Sequence, residues 1–233
     1  MAVLLVPGFM LDADLWCEVE VGLSEFAPFY HADLSQDSTI KALAERGLEH
    51  LSAHFILVGF SMGGYIAREI VRLAPEHVQA LVLIATSARG NSANLEARKE
   101  AASNEITATG FSGMSRASII RSVHPDHAED NSIIERIRDM NKRLGTKASV
   151  LQSSIVREDE LAKLSTIKCP THIISASHDA LRSHNDALEM KEKISSANMV
   201  IIEGAGHMPP LESPEILSMT IKNWLYQEGK IVV

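Results

Sequence analysis

A serine flanked by glycines lies between an apolar run and a helical segment. The motif is Gly59-Phe60-Ser61-Met62-Gly63-Gly64, preceded by the apolar residues 55–58 and followed by a helical pattern over 65–73. A serine at the apex of such a strand–turn–helix unit presents its hydroxyl clear of the sheet. The following helix directs backbone N–H groups and a partial positive charge towards it. The motif predicts a nucleophile; the alternative is a Gly-rich turn that only closes the unit.

Two further polar residues occupy comparable positions later in the chain. Asp179 follows the predicted strand 171–176, and His207 follows the predicted strand 199–202. Ligands of doubly wound sheets bind at the carboxyl ends of the strands, where all three residues are expected. The chain order Ser, Asp, His is that of a nucleophile-elbow triad. The sequence therefore predicts Ser61, Asp179 and His207 as catalytic, with Asp33, at another strand end, as the alternative acid.

The protonation chemistry of these residue types assigns their roles. A serine hydroxyl needs a neighbouring base, and imidazole is the side chain that exchanges protons near neutral pH. His207 would take the proton of Ser61, and Asp179 would orient the ring and stabilise its charged form. An oxyanion needs two donors. We expect them to be the backbone N–H groups of Met62 and Phe9, because Pro7 has no N–H to donate.

The remaining pattern of the chain predicts the scaffold that holds these residues. Apolar runs at 2–6, 28–32, 55–58 and 78–85 alternate with helical periodicities at 12–26, 39–51 and 65–73. This alternation is typical of an α/β protein with a mostly parallel, doubly wound sheet. Strand signals return at 171–176 and 199–202, with helices over 183–194 and from 213–214 to about 227. Ser183 and Asp186 have the spacing of a capping box.

Strand signals are missing from the middle of the chain. Segments 95–104, 115–123, 133–144 and 150–156 are all predicted to be helical. We therefore expect a core domain of residues 1–88 and 161–233, with residues 89–160 inserted as a helical cap. The stripe formed by Ile133, Ile134, Ile137 and Met140 is expected to pack against a neighbouring helix rather than to bind substrate.

Composition narrows the classes of partner. The 233-residue chain has a net charge of −8, which argues against nucleic acid because phosphate binding requires a basic surface. No apolar stretch is long enough to span a membrane. Cys17 and Cys169 are too few for a disulfide framework, so a cytoplasmic location is expected. A small-molecule substrate fits these limits, and the oligomeric state stays open.

Two other groups of residues invite a functional interpretation. Segment 124–130 contains His124, His127 and several carboxylates, but no third histidine lies nearby, so we predict no metal site. The glycines at 59–64 lack the spacing of a dinucleotide fingerprint, and no cofactor is predicted. His178 is expected to face solvent, because adjacent loop residues usually point apart.

The chain resembles the α/β-hydrolase superfamily, in particular small capped esterases and lactonases such as acyl-carrier methyl esterases and enol-lactonases. The resemblance lies in segments 4–9, 59–64, 169–171, 178–180 and 206–212. It implies an eight-stranded fold that lacks its usual first hairpin. Many members have His-Gly after the first strand, where this chain has Pro7-Gly8. The glycine bend is retained, but the hydrogen bonds of that histidine are lost.

These observations predict a serine hydrolase that cleaves an ester, thioester or lactone of a small molecule through an acyl-enzyme. Two alternatives use the same residues: a C–C bond hydrolase or lyase, and a small-ligand receptor that does not catalyse. The fold hosts many chemistries and does not choose among them.

Overall fold

The computed structural model describes residues 2–49, 51 and 54–228. Its centre is a sheet in which all paired strands are parallel. The strands are β1 (Ala2–Val6), β2 (Phe29–His31), β3 (Phe55–Phe60), β4 (Val78–Ile84), β5 (Thr171–Ala176) and β6 (Ala197–Ile202). Their order across the sheet is β2-β1-β3-β4-β5-β6. This arrangement confirms the predicted fold class, and its six strands match the implied loss of one hairpin.

Helices connect the strands and follow the last one. They are α1 (Cys17–Gly22), α2 (Ile40–Leu48), α3 (Met62–Leu73), α4 (Ala93–Thr109), α5 (Arg116–Ile120), α6 (Asn131–Ser153), α7 (His184–Lys193), α8 (Pro209–Glu212) and α9 (Pro214–Gln227). Short 3₁₀ helices occupy Ala13–Trp16, Ser24–Phe26, Pro125–His127 and Leu161–Thr166. Within the described ranges, no helix is long and apolar enough to cross a membrane.

The structure corrects one predicted helix and contains the break that was predicted between two others. Segment 12–26 is not one helix but α1 between two 3₁₀ turns, and Gly22, a poor helix former, ends α1. The break predicted between helices 133–144 and 150–156 is present within α6, where Gly145, at φ +69°, interrupts the helical backbone. Only glycine adopts such a φ at low cost. The predicted capping box is present, because Ser183 and Asp186 exchange their side-chain and backbone bonds.

The sheet separates two apolar layers. Alternate side chains of a strand point to opposite faces, so Val3 and Leu5 of β1 face α1 and α9, while Leu4 and Val6 face α2, α3 and α7. Complete burial of a Leu or Val side chain stabilises a fold by about 1.5–3 kcal/mol. These residues are almost inaccessible to solvent, so β1 is anchored on both faces and its C-terminal loop starts from a fixed point.

The helices α4, α5 and α6 lie between β4 and β5 in the chain. α6 packs against both α4 and α5. The predicted apolar stripe Ile133, Ile134, Ile137 and Met140 is buried in the cluster that also covers β1 and β3. Packing thus accounts for the stripe, although Ile137 also lines the cavity described below.

Candidate active site

Ser61 lies at the turn between β3 and α3. Its backbone has φ +51° and ψ −111°, a combination that costs energy for a residue with a side chain. The turn is held because the Ser61 N–H donates to Ile84 O at 2.9 Å, and the Thr86 hydroxyl donates to Ser61 O at 2.7 Å. A Cβ on Gly59 would lie 2.7 Å from the Cβ of Ala67. The motif therefore needs its glycine so that β3 and α3 can approach this closely.

His207 joins Ser61 to Asp179. Its Nε2 lies 2.9 Å from Ser61 Oγ, and its Nδ1 lies 2.8 Å from Asp179 Oδ2. The other oxygen of Asp179 accepts the backbone N–H groups of Leu181 and Arg182, both at 2.8 Å. The side chains of His207 and Asp179 are only 6% and 2% exposed. The carboxylate is fixed on both oxygens and shielded from water, and so is able to hold the imidazole in one orientation.

Glu212 in α8 fixes the loop that contains His207. Its carboxylate accepts the backbone N–H groups of Gly206 at 3.1 Å, Met208 at 2.9 Å and His124 at 2.6 Å. The His207 N–H in turn donates to Ser122 O at 2.8 Å. A Cβ on Gly206 would lie 2.4 Å from the backbone of Val123 and His124. The histidine loop is therefore fastened to the segment that follows α5.

The loop after β1 lies against the start of α3. A Cβ on Gly63 would come within 2.2 Å of Val6 O and 2.5 Å of Pro7 O. Among the described residues, neither Phe9 N–H nor Met62 N–H has an acceptor. Both are therefore available to an oxygen of a bound substrate, as the sequence predicts for an oxyanion hole.

Two amides of α6 hold this loop in place. The Met10 N–H donates to Gln152 Oε1 at 2.7 Å, and Asn141 Nδ2 donates to Met10 O at 2.8 Å. Met10 has φ +55°, a conformation that costs energy for methionine and needs support from its surroundings. These contacts restrain the loop that follows Pro7 and Gly8.

Two adjoining cavities of about 310 and 510 Å³ open on Ser61. The strand order reverses between β1 and β3, so the cavities lie at the switch point where doubly wound sheets bind ligands. Their walls combine apolar and basic side chains: Phe9, Leu11, Phe60, Met62, Lys99, Met114, Arg121, Ile137, Ile155, Arg157, Leu181, Arg182 and Met208. Burial lowers the pKa of Arg157 and of Lys99.

The other candidate residues of the sequence lie elsewhere. Asp33 is exposed and accepts the N–H of Ser35 at 2.8 Å, whereas the carboxylate bonded to His207 is that of Asp179. His178 is exposed, as predicted, and its ring lies edge-to-face with that of His124 at 4.2 Å. No group of three or more metal-binding side chains occurs in the part of the chain that the structure describes.

Sequence reasoning missed the residues that support the site. Glu212 was recognisable only as part of the segment after His207. Gln152 and Asn141 are ordinary helix residues in the sequence. The basic residues Arg121, Arg157 and Arg182 have no common motif or spacing. Gln152 and Asn141 had no local signal, because both contact Met10, which is distant in the chain. Glu212 binds the nearby Gly206 and Met208 as well as the distant His124.

A parallel sheet with a serine at a strand–helix turn, bonded through histidine to aspartate, defines the class of α/β hydrolases. The chain matches the sequence profile described as "Alpha/beta hydrolase family" over residues 3–218 and belongs to that family. The predicted resemblance, fold class and hydrolase type are thereby confirmed.

Known proteins similar to this chain include esterases and a lactonase. An esterase from Thermogutta terrifontis with malate bound superposes with a TM-score of 0.88 at 24% identity, covering 97% of this chain and 90% of that one. The enol-lactonase from Burkholderia xenovorans LB400 gives 0.83 at 19% identity, covering 97% and 91%. Likeness at this level of identity shows a shared fold.

One curated relative is similar over a shorter segment. The pimeloyl-[acyl-carrier protein] methyl ester esterase of Klebsiella pneumoniae is 30% identical over 91 residues. The match covers 36% of this chain and 35% of that enzyme. The aligned segment thus spans about a third of the relative's length.

Proposed function

We propose that this protein is a serine hydrolase that cleaves a carboxylic ester, thioester or lactone of a small molecule through an acyl-enzyme. The observation that carries the proposal is the continuous line of hydrogen bonds from Ser61 Oγ through His207 to Asp179. The similarity to a methyl ester esterase and the shared fold with an enol-lactonase favour an ester or lactone over an amide.

In the proposed mechanism, Ser61 Oγ attacks the carbonyl carbon while His207 Nε2 takes its proton. The carbonyl oxygen becomes an oxyanion that accepts the N–H groups of Phe9 and Met62. Asp179 stabilises the imidazolium from the Nδ1 side. When the intermediate collapses, the bond to the leaving oxygen or sulfur breaks and His207 returns the proton to it. Water then attacks the acyl-enzyme by the same route and releases the acid.

We also propose that residues 89–160 form a cap over a core of residues 1–88 and 161–233. Supporting this division, Lys99 of α4, Ile137 of α6 and Arg121, which directly follows α5, line the cavities above Ser61. The substrate would therefore bind between the sheet edge and these helices.

A fluorophosphonate probe tests the proposed nucleophile. We expect rapid labelling of Ser61, located by mass spectrometry of the digested protein, and no labelling of the Ser61→Ala variant. Ser218→Ala is a matched control, because Ser218 is also a buried serine but donates to Glu215 O on α9. A folded protein that is not labelled would contradict the proposal and favour a receptor that does not catalyse.

A substrate panel tests the bond that is cleaved. We expect Ser61-dependent turnover of p-nitrophenyl esters of graded acyl length or of simple lactones. Labelling of Ser61 without turnover of any ester, thioester or lactone would contradict the bond class and direct attention to C–C bond cleavage.

A further inference from the structure

The arginines of this acidic protein are mostly paired with carboxylates. The paired ones are Arg46, Arg68, Arg72, Arg89, Arg136, Arg138 and Arg143. Among the arginines whose side chains the structure describes, Arg116, Arg121, Arg157 and Arg182 have no carboxylate within 4.0 Å. Three of these four line the cavities that open on Ser61. The unpaired cations are therefore concentrated at the candidate active site.

No acidic side chain balances this charge from within the cavity walls. Among the described residues that line either cavity, none is aspartate or glutamate. Lys99 adds a fourth basic group to the larger cavity, and its ammonium donates to the backbone carbonyl of Ile155. The whole chain has a net charge of −8, so described cavity walls whose only charged side chains, apart from His207, are basic are a local reversal of sign that would concentrate anions.

The three guanidinium groups keep free donors. Arg157 donates to Asn91 and to the hydroxyl of Tyr65 at 3.2 Å, and it stacks on the Tyr65 ring at 4.9 Å, which leaves its Nη2 free. Arg182 donates through Nη1 to Leu181 O at 2.9 Å, while its Nε is buried without a partner. The side chain of Arg121 has no partner among the described residues.

Arg157 and Arg182 are partly buried whereas Arg121 is exposed, so it is the unpaired charges of Arg157 and Arg182 that raise the free energy of the empty site. Burial lowers the pKa of the Arg157 guanidinium, and the nearby positive charge of Arg182 lowers it further. Neutralising such groups requires an anion with hydrogen-bond acceptors, because an unpaired buried charge is costly. The planar guanidinium fits carboxylate and phosphate oxygens with two parallel hydrogen bonds.

We propose that Arg121, Arg157 and Arg182 form an anion-binding subsite, so that the substrate is an ester, thioester or lactone that also carries a carboxylate or phosphate group, separated from the cleaved bond by intervening carbons. This proposal rests on the proposed hydrolase function for the identity of the reacting bond. The subsite selects the substrate through the charge at its far end, while the apolar wall of Leu11, Met114 and Ile137 accommodates the intervening carbons.

Matched pairs of substrates test the preference. Methyl hemiesters of linear dicarboxylates from succinate to suberate are compared with methyl esters of monocarboxylates of the same length. We expect kcat/KM to be at least about tenfold higher for one or more hemiesters than for the neutral partner. Acetyl esters of a hydroxy acid and of glycerol phosphate place a carboxylate or a phosphate on the alcohol side. The substrate series with the largest preference over its neutral partners shows whether the subsite binds a carboxylate or a phosphate, and whether that group is on the acyl or the alcohol side.

Arginine variants separate binding of the anion from chemistry. Arg121→Gln and Arg182→Gln are expected to lower kcat/KM for the preferred anionic ester roughly 10- to 100-fold, the effect of losing a charge-assisted hydrogen bond. The ratio of kcat/KM for the anionic ester to kcat/KM for its neutral partner should fall by a similar factor. Arg116→Gln is the control, because Arg116 is also unpaired and on α5 but lies outside the cavities. Arg182→Lys, which keeps the charge, should recover part of the loss.

Calorimetric titration of the Ser61→Ala variant with the same dicarboxylates and with inorganic phosphate tests the subsite without turnover. Binding of these anions that disappears in the double variant Ser61→Ala/Arg182→Gln supports the subsite. If the wild-type protein then hydrolyses no ester, thioester or lactone, the proposed hydrolase function fails but the subsite does not. Hydrolysis of neutral esters with no preference for any anionic ester and no anion binding would overturn the subsite and leave the hydrolase function intact.

Discussion

Replacing Gln152 with leucine tests whether α6 controls the loop that is proposed to hold the oxyanion. The Gln152 side chain accepts the Met10 N–H at 2.7 Å and donates to Leu34 O at 3.1 Å. It is 1% exposed, so water does not replace these bonds readily. Leucine has a similar volume but no polar atom, and the variant therefore removes two hydrogen bonds while retaining most of the packing.

The structure sets the size of the expected effects. A buried donor or acceptor left without a partner costs ~1–3 kcal/mol, and the variant leaves two, at Met10 and Leu34. Loss of one oxyanion donor lowers kcat by roughly 10²–10³-fold. Asn141 still binds Met10 O in the variant, so the loop is loosened rather than freed. We therefore expect kcat to fall by about 10- to 100-fold, which is less than the effect of losing a whole oxyanion donor.

The assay is kcat on a neutral p-nitrophenyl ester, measured together with urea unfolding. Thr171→Val is the matched control, because Thr171 is buried and its hydroxyl donates to Cys169 O at 3.0 Å. Thr171 begins β5, so it lies at the sheet edge opposite Ser61. We expect both variants to lose stability but only Gln152→Leu to lose kcat.

A Gln152→Leu protein that is folded and has kcat within threefold of wild type would refute the reasoning. It would show that the position of Met10 does not affect the rate, and that the Phe9 N–H either needs no support from α6 or makes no contribution to the transition state. An equal fall in kcat for Thr171→Val would assign the effect to general destabilisation.

Three further predictions concern the triad and the core. Ser61→Ala should lower kcat roughly 10⁴- to 10⁶-fold, since triad members act as a unit; a loss below tenfold on a confirmed substrate would contradict its role, and Ser218→Ala should have no effect. His207→Gln should have an effect similar in size to that of Ser61→Ala, because it removes the ring nitrogen that lies 2.9 Å from Ser61 Oγ; a loss below tenfold would contradict its role as the base. Glu160→Gln should lower the free energy of unfolding by about 3–5 kcal/mol, because it leaves the fully buried Arg68 without its carboxylate. Urea unfolding measures this difference. A change below about 0.5 kcal/mol, the usual size for surface sites, would contradict the explanation.

Much of the scaffold was predictable from local patterns. The apolar runs that became β1, β3, β4 and β5 are buried on both faces, so their sequences are continuous rather than alternating. The boundaries of α1 were not predictable. Gly22 interrupts a helical periodicity that continues to Phe26, and the periodicity of the buried residues does not report such a local break, whereas the break at Gly145 lies between two separately predicted helices.

The candidate site was predictable only in part. Ser61 has a motif, and Asp179 and His207 could be placed at strand ends once the strands were recognised. Glu212, which fixes the His207 loop through backbone N–H groups, is a surface-type residue in sequence. Its carboxylate binds the nearby N–H groups of Gly206 and Met208 and the distant N–H of His124, and the contact with His124 depends on the tertiary structure.

The sequence by itself determined the alternation of strands and helices, the glycine-flanked turn at Ser61 and the chain order of the three reactive side chains. These follow from interactions between residues a few positions apart, which hydrophobic periodicity and glycine placement record directly. Tertiary structure alone decided that His207 reaches Ser61 across 146 residues and that Gln152 reaches Met10 across 142. It also decided that Arg121, Arg157 and Arg182 meet at one cavity, because contacts between distant segments depend on how whole elements pack on the sheet.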